Sequence, residues 1–196
     1  VTAIHATLVY WENTEESFNK IIEFEKLISN NKDIICHAKT SQDIIDAKKN
    51  NKVAFIFGFQ NSAPIANDIY LVEKFFQKGL RFMQLTYNNQ TPLAGGCFEP
   101  KDSGVSRFGK AVIEEMNHLG MIVDLSHAGK ITCLEAIEFS KKPVAISHAN
   151  PSFFHKSIRN IDDEVLKKLV NKNGFIGLSL YPYHLKNLGN CKIEDF

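Results

Sequence analysis

The sequence is short of paired cysteines, charge imbalance, long apolar runs and phosphate-binding glycine loops, and each shortage removes a class of protein. Its four cysteines, Cys36, Cys97, Cys133 and Cys191, are scattered with no Cys-x-x-Cys spacing. Reduced thiols of a cytoplasmic protein are therefore expected rather than a disulfide framework or a zinc ribbon. Basic and acidic residues nearly cancel, leaving a net charge of +1, so neither nucleic acid nor an anionic membrane surface is the expected partner. No apolar run approaches the roughly 18 residues of a membrane span, and no basic-then-apolar leader opens the chain. No Gly-x-Gly-x-x-Gly or Walker-type loop follows a strand-like run, which leaves a nucleotide-binding fold without support. Ser126 and Ser147 each precede a histidine, yet no Gly-x-Ser-x-Gly elbow surrounds either, so the sign of a serine hydrolase is missing too.

What is present is an alternation of short apolar runs with helical periods, in a chain hydrophobic enough (44% of 196 residues) to bury one sizeable core. Strands are expected at 1–11, 53–60, 80–87, 121–127, 143–148 and 175–181, with the first read as buried. Between them, apolar residues recur at helical spacing over 14–29, 42–49, 68–78, 107–119, 130–139 and 164–171. Ser41 and Ser106 are the expected caps of the second and fourth of these, and Gly79 closes the third. Residues 34–38 are a short ambiguous run, and two long polar loops occupy 88–105 and 149–161. Strand followed by helix throughout implies a parallel sheet with right-handed crossovers. Six strands predict an α/β fold of the (β/α)₈ TIM-barrel type, incomplete at both ends, with residues 1–196 forming one partial barrel domain. The chain opens without Met inside an apolar run and closes at Glu194–Phe196 in what reads as a helix start. It is accordingly expected to be a piece of a longer protein, and the piece alone to show little or no activity.

In such a barrel the C-terminal strand ends converge on one mouth, here Trp11, Gln60, Tyr87, His127, His148 and Tyr181. Two of the runs, Met121-Ile-Val-Asp-Leu-Ser-His127 and Pro143-Val-Ala-Ile-Ser-His148, end in Ser-His. Two neutral imidazoles delivered in matched positions suit a divalent metal, Zn²⁺ or another borderline ion. Acid is what the mouth lacks: Gln60, a neutral amide, stands at the end of the 53–60 strand. Asp124 lies three residues before His127, so strand alternation puts it on the opposite face, as a buried carboxylate or one that supports the ligands from behind rather than as a ligand. Arg159, on the loop after His148, has two equal readings: a clamp for a substrate carboxylate, or a partner of Asp162 or Asp163. His155 reads as a plain loop histidine, and His5, His37, His118 and His184 as structural or surface residues.

These runs carry a resemblance. Gly79-Leu-Arg-Phe-Met-Gln-Leu-Thr-Tyr87, the block from Phe108 to His127, Pro143-Val-Ala-Ile-Ser-His-Ala-Asn150, Ile158-Arg-Asn160 and Gly174-Phe-Ile-Gly177 resemble the membrane (renal) dipeptidase family. The resemblance implies a metal-dependent (β/α)₈ barrel that cleaves dipeptides at a two-zinc centre with an activated bridging water. By position, it makes His127 and His148 ligands of the second metal and Arg159 the grip on the substrate's C-terminal carboxylate. Gln60 falls where the family has its metal-bridging glutamate. Tyr87 falls where a family histidine helps polarise the scissile carbonyl, which makes it a catalytic and substrate-binding candidate. The family's His-x-Asp pair and its late aspartate have no counterpart in the chain. The Gly-Phe-Gln-Asn and Leu-Thr-Tyr-Asn-Asn runs resemble a bacterial branch of the family, whose substrate need not be a dipeptide. The expectation is therefore a hydrolase of small amides or dipeptides bearing a free carboxylate, using one or two Zn²⁺. One alternative is a one-metal barrel of altered chemistry, another a non-catalytic carboxylate-binding barrel. A homo-oligomer is left open, and a cytoplasmic location is the default.

Overall fold

The computed structural model describes residues 1–186 and 191–195. In chain order the elements are β1 (Ala3–Val9), α1 (Thr14–Asn30), β2 (Ile35–His37), α2 (Ser41–Lys49), β3 (Val53–Phe59), α3 (Tyr70–Gln77), β4 (Leu80–Gln84) and α4 (Arg107–Leu119). Then follow β5 (Ile122–Asp124), α5 (Lys130–Phe139), β6 (Ala145–Ala149), α6 (Asp163–Asn171), β7 (Phe175–Leu178) and α7 (Pro182–Leu185). Every strand pairing is parallel, in one sheet ordered β1-β3-β4-β5-β6-β7. This is the expected α/β arc of an incomplete barrel. The strand not expected is β2, which lies against the first residues of β3 (Ile35 beside Val53, His37 beside Phe55). Three residues are too few to show either a strand alternation or a helical period.

The register sorts the side chains. Phe59, Met83 and Val123 lie side by side across β3, β4 and β5 and share one core with Val72, Phe75, Val112 and Met116 of the covering helices. The alternate residues, Thr7, Gly58, Phe82 and Ile122, are in register on the other face, one step below Gln84 and Asp124, which are themselves paired. That inner face is where the polar groups of the sheet collect.

Two local expectations need correction. β1 is buried only in its second half: Val1 is 97% exposed and Ile4 41%, because the strand has a single neighbour, β3. The cap of α2 is Thr40, not Ser41: the Thr40 hydroxyl accepts from the Asp43 amide while the Asp43 carboxylate accepts from the Thr40 amide. A cap at Ser41 would put the apolar Ile44 in that reciprocal position. Ser106 caps α4 as expected, its hydroxyl accepting from the Gly109 amide at 2.9 Å. Gly79 follows α3 with φ +97°, a conformation open to glycine. No described helix is long and apolar enough to cross a membrane.

Candidate metal and substrate site

At the C-terminal ends of the strands lies a cavity of about 440 Å³, lined by Gln60, Tyr87, His127, His148, Arg159 and Tyr181 together with Tyr10, Asn88, Phe98, Ser179 and His184. Five residues expected at the mouth from strand ends, and Arg159 from its loop, thus meet in one place. Trp11 is set back; its ring packs edge-on against Tyr87 with centroids 5.6 Å apart. Tyr87 in turn stacks on His127 at 4.2 Å.

His127 and His148 come together through their outer nitrogens, Nε2 to Nε2, at 2.9 Å. Each is held from behind. The His127 Nδ1 lies 2.6 Å from the Asn88 amide oxygen, and the His148 Nδ1 lies 2.8 Å from the Ser147 hydroxyl. Asn88 can only accept at that oxygen, so His127 carries its proton on Nδ1 and presents a lone pair at Nε2. Burial is the main force holding both rings neutral. With the Arg159 cation adding most to it and any charge on His148 or His184 opposing protonation further, the His127 pKa is pushed down to about 2. His148 is also lowered, with Asp124 opposing the burial. His127 sits just past its strand with φ +68°, so the two-residue alternation no longer governs its direction.

That break corrects the reading of Asp124. Rather than being turned away from His127, it belongs to the same cluster: its Oδ2 accepts from the Ser147 hydroxyl, which contacts His148. As expected, it is buried and is not itself among the residues lining the cavity.

Of the two readings of Arg159, the pairing with Asp162 or Asp163 is not made. Asp162 is taken by Lys130 at 3.0 Å and by Ser152. Arg159 is only 7% exposed, donates to the His148 carbonyl at 3.3 Å and forms no salt bridge among the described residues. Burial pulls its pKa below the ordinary guanidinium value. A buried guanidinium that faces a cavity and has no salt bridge among the described residues has the chemistry to bind an anion.

A family model described as membrane dipeptidase (peptidase family M19) matches residues 3–196. The chain belongs to the membrane dipeptidase family. It is 31% identical over 165 residues to an uncharacterised dipeptidase of Schizosaccharomyces pombe, covering 79% of this chain and 39% of that protein. A dipeptidase of Aspergillus oryzae is 26% identical, over 95% of this chain and 44% of its own. Among solved structures, an amidohydrolase from Pseudomonas aeruginosa superposes on the whole chain and 60% of its own with TM-score 0.96 and 37% identity. A metallo peptidase from Rhodobacter sphaeroides, liganded with a phosphinate mimic of the dipeptide L-Ala-D-Ala, shares the fold at TM-score 0.85 and 18% identity, over 91% and 53% of the two chains. The chain spans about two-fifths of the length of the curated relatives it matches.

A metal, which the membrane dipeptidase family implies, fits the two imidazoles. Two buried imidazoles that bring their Nε2 atoms to within 2.9 Å of each other at the mouth of the sheet are donors of the kind that would hold zinc. The contact is a hydrogen bond if one ring carries its proton on Nε2; with both protons on Nδ1 the two lone pairs face each other, and a cation between them would relieve the repulsion. Among the described residues no cluster of three or more His, Cys, Asp or Glu could hold a metal. Gln60 does not add to the pair: its Nε2 donates to the Thr7 hydroxyl at 2.7 Å.

Sequence reasoning missed His184 and Asn88. His184 was read as structural or surface. It is 6% exposed, is held by Ser179 at 2.9 Å and has its pKa lowered by burial to about 4. It sits beyond β7 in a short helix after Pro182, where no strand end announces it. Asn88 did leave a sign, since it follows a strand-end tyrosine and is a residue type that tolerates its φ of +65°.

Proposed function

We propose that the protein is a metal-dependent, dipeptidase-like hydrolase acting on a small amide or dipeptide with a free carboxylate. The observation that carries the reading is the pairing, in one cavity, of two imidazole Nε2 atoms 2.9 Å apart with a buried guanidinium that has no salt bridge among the described residues. The names of the relatives, dipeptidases and an amidohydrolase, point the same way, and the dipeptide mimic in the Rhodobacter sphaeroides enzyme fits a cavity that takes a dipeptide.

His127 and His148 would hold a divalent ion, zinc by preference. Such an ion supplies Lewis acidity that polarises an amide carbonyl and makes water acidic enough to attack at neutral pH. The chain's own residues do the rest. Arg159 binds the substrate carboxylate and so orients the amide toward the histidines. Tyr87, fixed between Trp11 and His127, forms the adjoining wall of the cavity, where its phenol can donate to the carbonyl oxygen. Asn88 keeps His127 turned with Nε2 inward.

One observation favours a second reading, a one-metal enzyme: the Gln60 amide is satisfied by Thr7 and brings no negative charge to hold two cations together. Zinc stoichiometry of the full-length gene product, measured with hydrolysis of a dipeptide panel, tests both. Two zinc ions with hydrolysis that a chelator abolishes supports the two-metal form, and one zinc with hydrolysis supports the one-metal form. Binding of carboxylate ligands that a chelator leaves unchanged, with no hydrolysis, would overturn the proposal in favour of a binding barrel.

A further inference from the structure

Directly behind the cavity lies a carboxylate that the proposed reaction does not use. Asp124 is fully buried and has no ion pair among the described residues. Five hydrogen bonds hold its two oxygens. Oδ1 accepts from the Ser126 amide (3.0 Å), the Ser126 hydroxyl (2.8 Å) and the Ser147 amide (3.0 Å). Oδ2 accepts from the Ser147 hydroxyl (2.5 Å) and the Gln84 side-chain amide (3.1 Å).

A hydroxyl has one proton. Ser147 Oγ touches both Asp124 and, at 2.8 Å, the Nδ1 of His148. Asp124 accepts on both oxygens, with the Ser147 hydroxyl donating to Oδ2, so the hydroxyl proton points to Asp124. The Ser147 oxygen is then an acceptor toward His148, and the imidazole must carry its proton on Nδ1. Its Nε2 is left as a bare lone pair, 2.9 Å from that of His127. Ser126 fixes the arrangement from the other side, since its hydroxyl donates to Asp124 and accepts the His148 backbone amide at 3.1 Å.

We propose that Asp124, acting through the Ser147 hydroxyl, is a positioning residue that sets the tautomer of His148 and so keeps its Nε2 ready to ligate a metal. The tautomer is inferred from the chain Asp124–Ser147–His148, since the Nε2–Nε2 contact does not say which ring donates; the consequence for metal binding rests on the reading of His148 as a ligand.

Asp124→Asn tests it. With the amide oxygen in the Oδ1 position, all three bonds there survive. The amide nitrogen replaces Oδ2 and must donate. Gln84 can turn to receive one N–H, because its Oε1 is buried and has no partner. The other N–H goes to Ser147 Oγ, whose own proton is then free to turn to His148 Nδ1, driving the ring proton to Nε2. In metal-free full-length gene product at neutral pH, long-range ¹H–¹⁵N correlation should show His148 protonated at Nδ1 in the wild type and at Nε2 in Asp124→Asn. Zinc affinity by chelator competition should fall about 10- to 100-fold, the usual cost of losing the group that orients a ligating histidine. Ser147→Ala, which removes the relay and leaves Asp124 in place, should give a mixture of tautomers, and Ser147→Thr should restore Nδ1–H. A wild-type ring protonated at Nε2, or Nδ1–H retained in both Asp124→Asn and Ser147→Ala, overturns the relay. A switched tautomer with unchanged zinc affinity upholds the relay and overturns the ligand role of His148.

Discussion

Replacing Arg159 by Met separates substrate recognition from stability, because the two effects have opposite signs. The guanidinium is 7% exposed, lies beside the His148 carbonyl and has no salt bridge among the described residues. A substrate carboxylate brought within about 4 Å gains about 4 kcal/mol at an effective dielectric constant near 20, part of which goes to stripping its water. Truncating one partner of a buried, hydrogen-bonded charge pair costs about 2–5 kcal/mol. Taking about 3 kcal/mol, at 1.4 kcal/mol per decade, the inhibition constant of a non-hydrolysable dipeptide analogue should rise roughly 150-fold in Arg159→Met. The same analogue with its carboxylate capped as an amide should bind the wild type weakly and the variant no worse. Folding should not suffer: an apolar side chain of similar length replaces a buried cation without a carboxylate, a change that is often neutral or stabilising. The assays are competitive inhibition, with free and capped analogues, and thermal melting of both proteins. Equal losses for the two analogues, or unchanged inhibition by the free acid, would refute the assignment of Arg159 as the carboxylate receptor. A melting temperature lowered by many degrees would refute the claim that its charge is not needed to hold the fold.

Gln60→Glu restores a negative charge at the cavity and leaves the Thr7 hydroxyl a carboxylate to donate to. Zinc bound per chain of the full-length gene product, measured by elemental analysis, should rise, and no gain would count against Gln60 as the reason for a weakened paired-metal site. Acid should destabilise the fold through His37, which packs against Phe57 and contacts the Gly79 carbonyl, and whose pKa burial lowers to about 4. Unfolded histidine titrates near 6.5, so between pH 6.5 and 4 the unfolded chain binds more protons. This contribution to stability is complete above pH 6.5 and is lost as the pH falls through that window. The urea midpoint should therefore drop on acidification, with a shallower slope in His37→Phe. Identical slopes for the two proteins would refute the assignment.

Much of this architecture is legible locally, because burial on both faces leaves strands as nearly unbroken apolar runs. Val53–Phe59 shows it, and the helical stripe of Val112 and Met116 in α4 is as legible. The matched Ser-His endings of two such runs pointed to His127 and His148 for the same reason: parallel strands with similar crossovers deliver their last residues to one edge. Short-range signals failed where they had few residues to act on. β2 has three, and the choice between Thr40 and Ser41 turned on whether the residue three further along could return the hydrogen bond.

The sequence by itself determined the parallel sheet, the end of it at which chemistry collects, and the two histidines with their missing acid. Only the tertiary structure decided what each polar side chain does there. Arg159 could have joined Asp162; it faces the cavity instead, and Lys130 holds that aspartate. Asp124 was placed on the far face by alternation, and alternation ends where His127 takes a left-handed backbone. His184 was passed over because the contact that holds it, with Ser179, forms beyond the end of β7. Local pattern encodes which face is buried. The partner of a buried charge is set by groups brought together from distant parts of the chain, and no short window of sequence contains both.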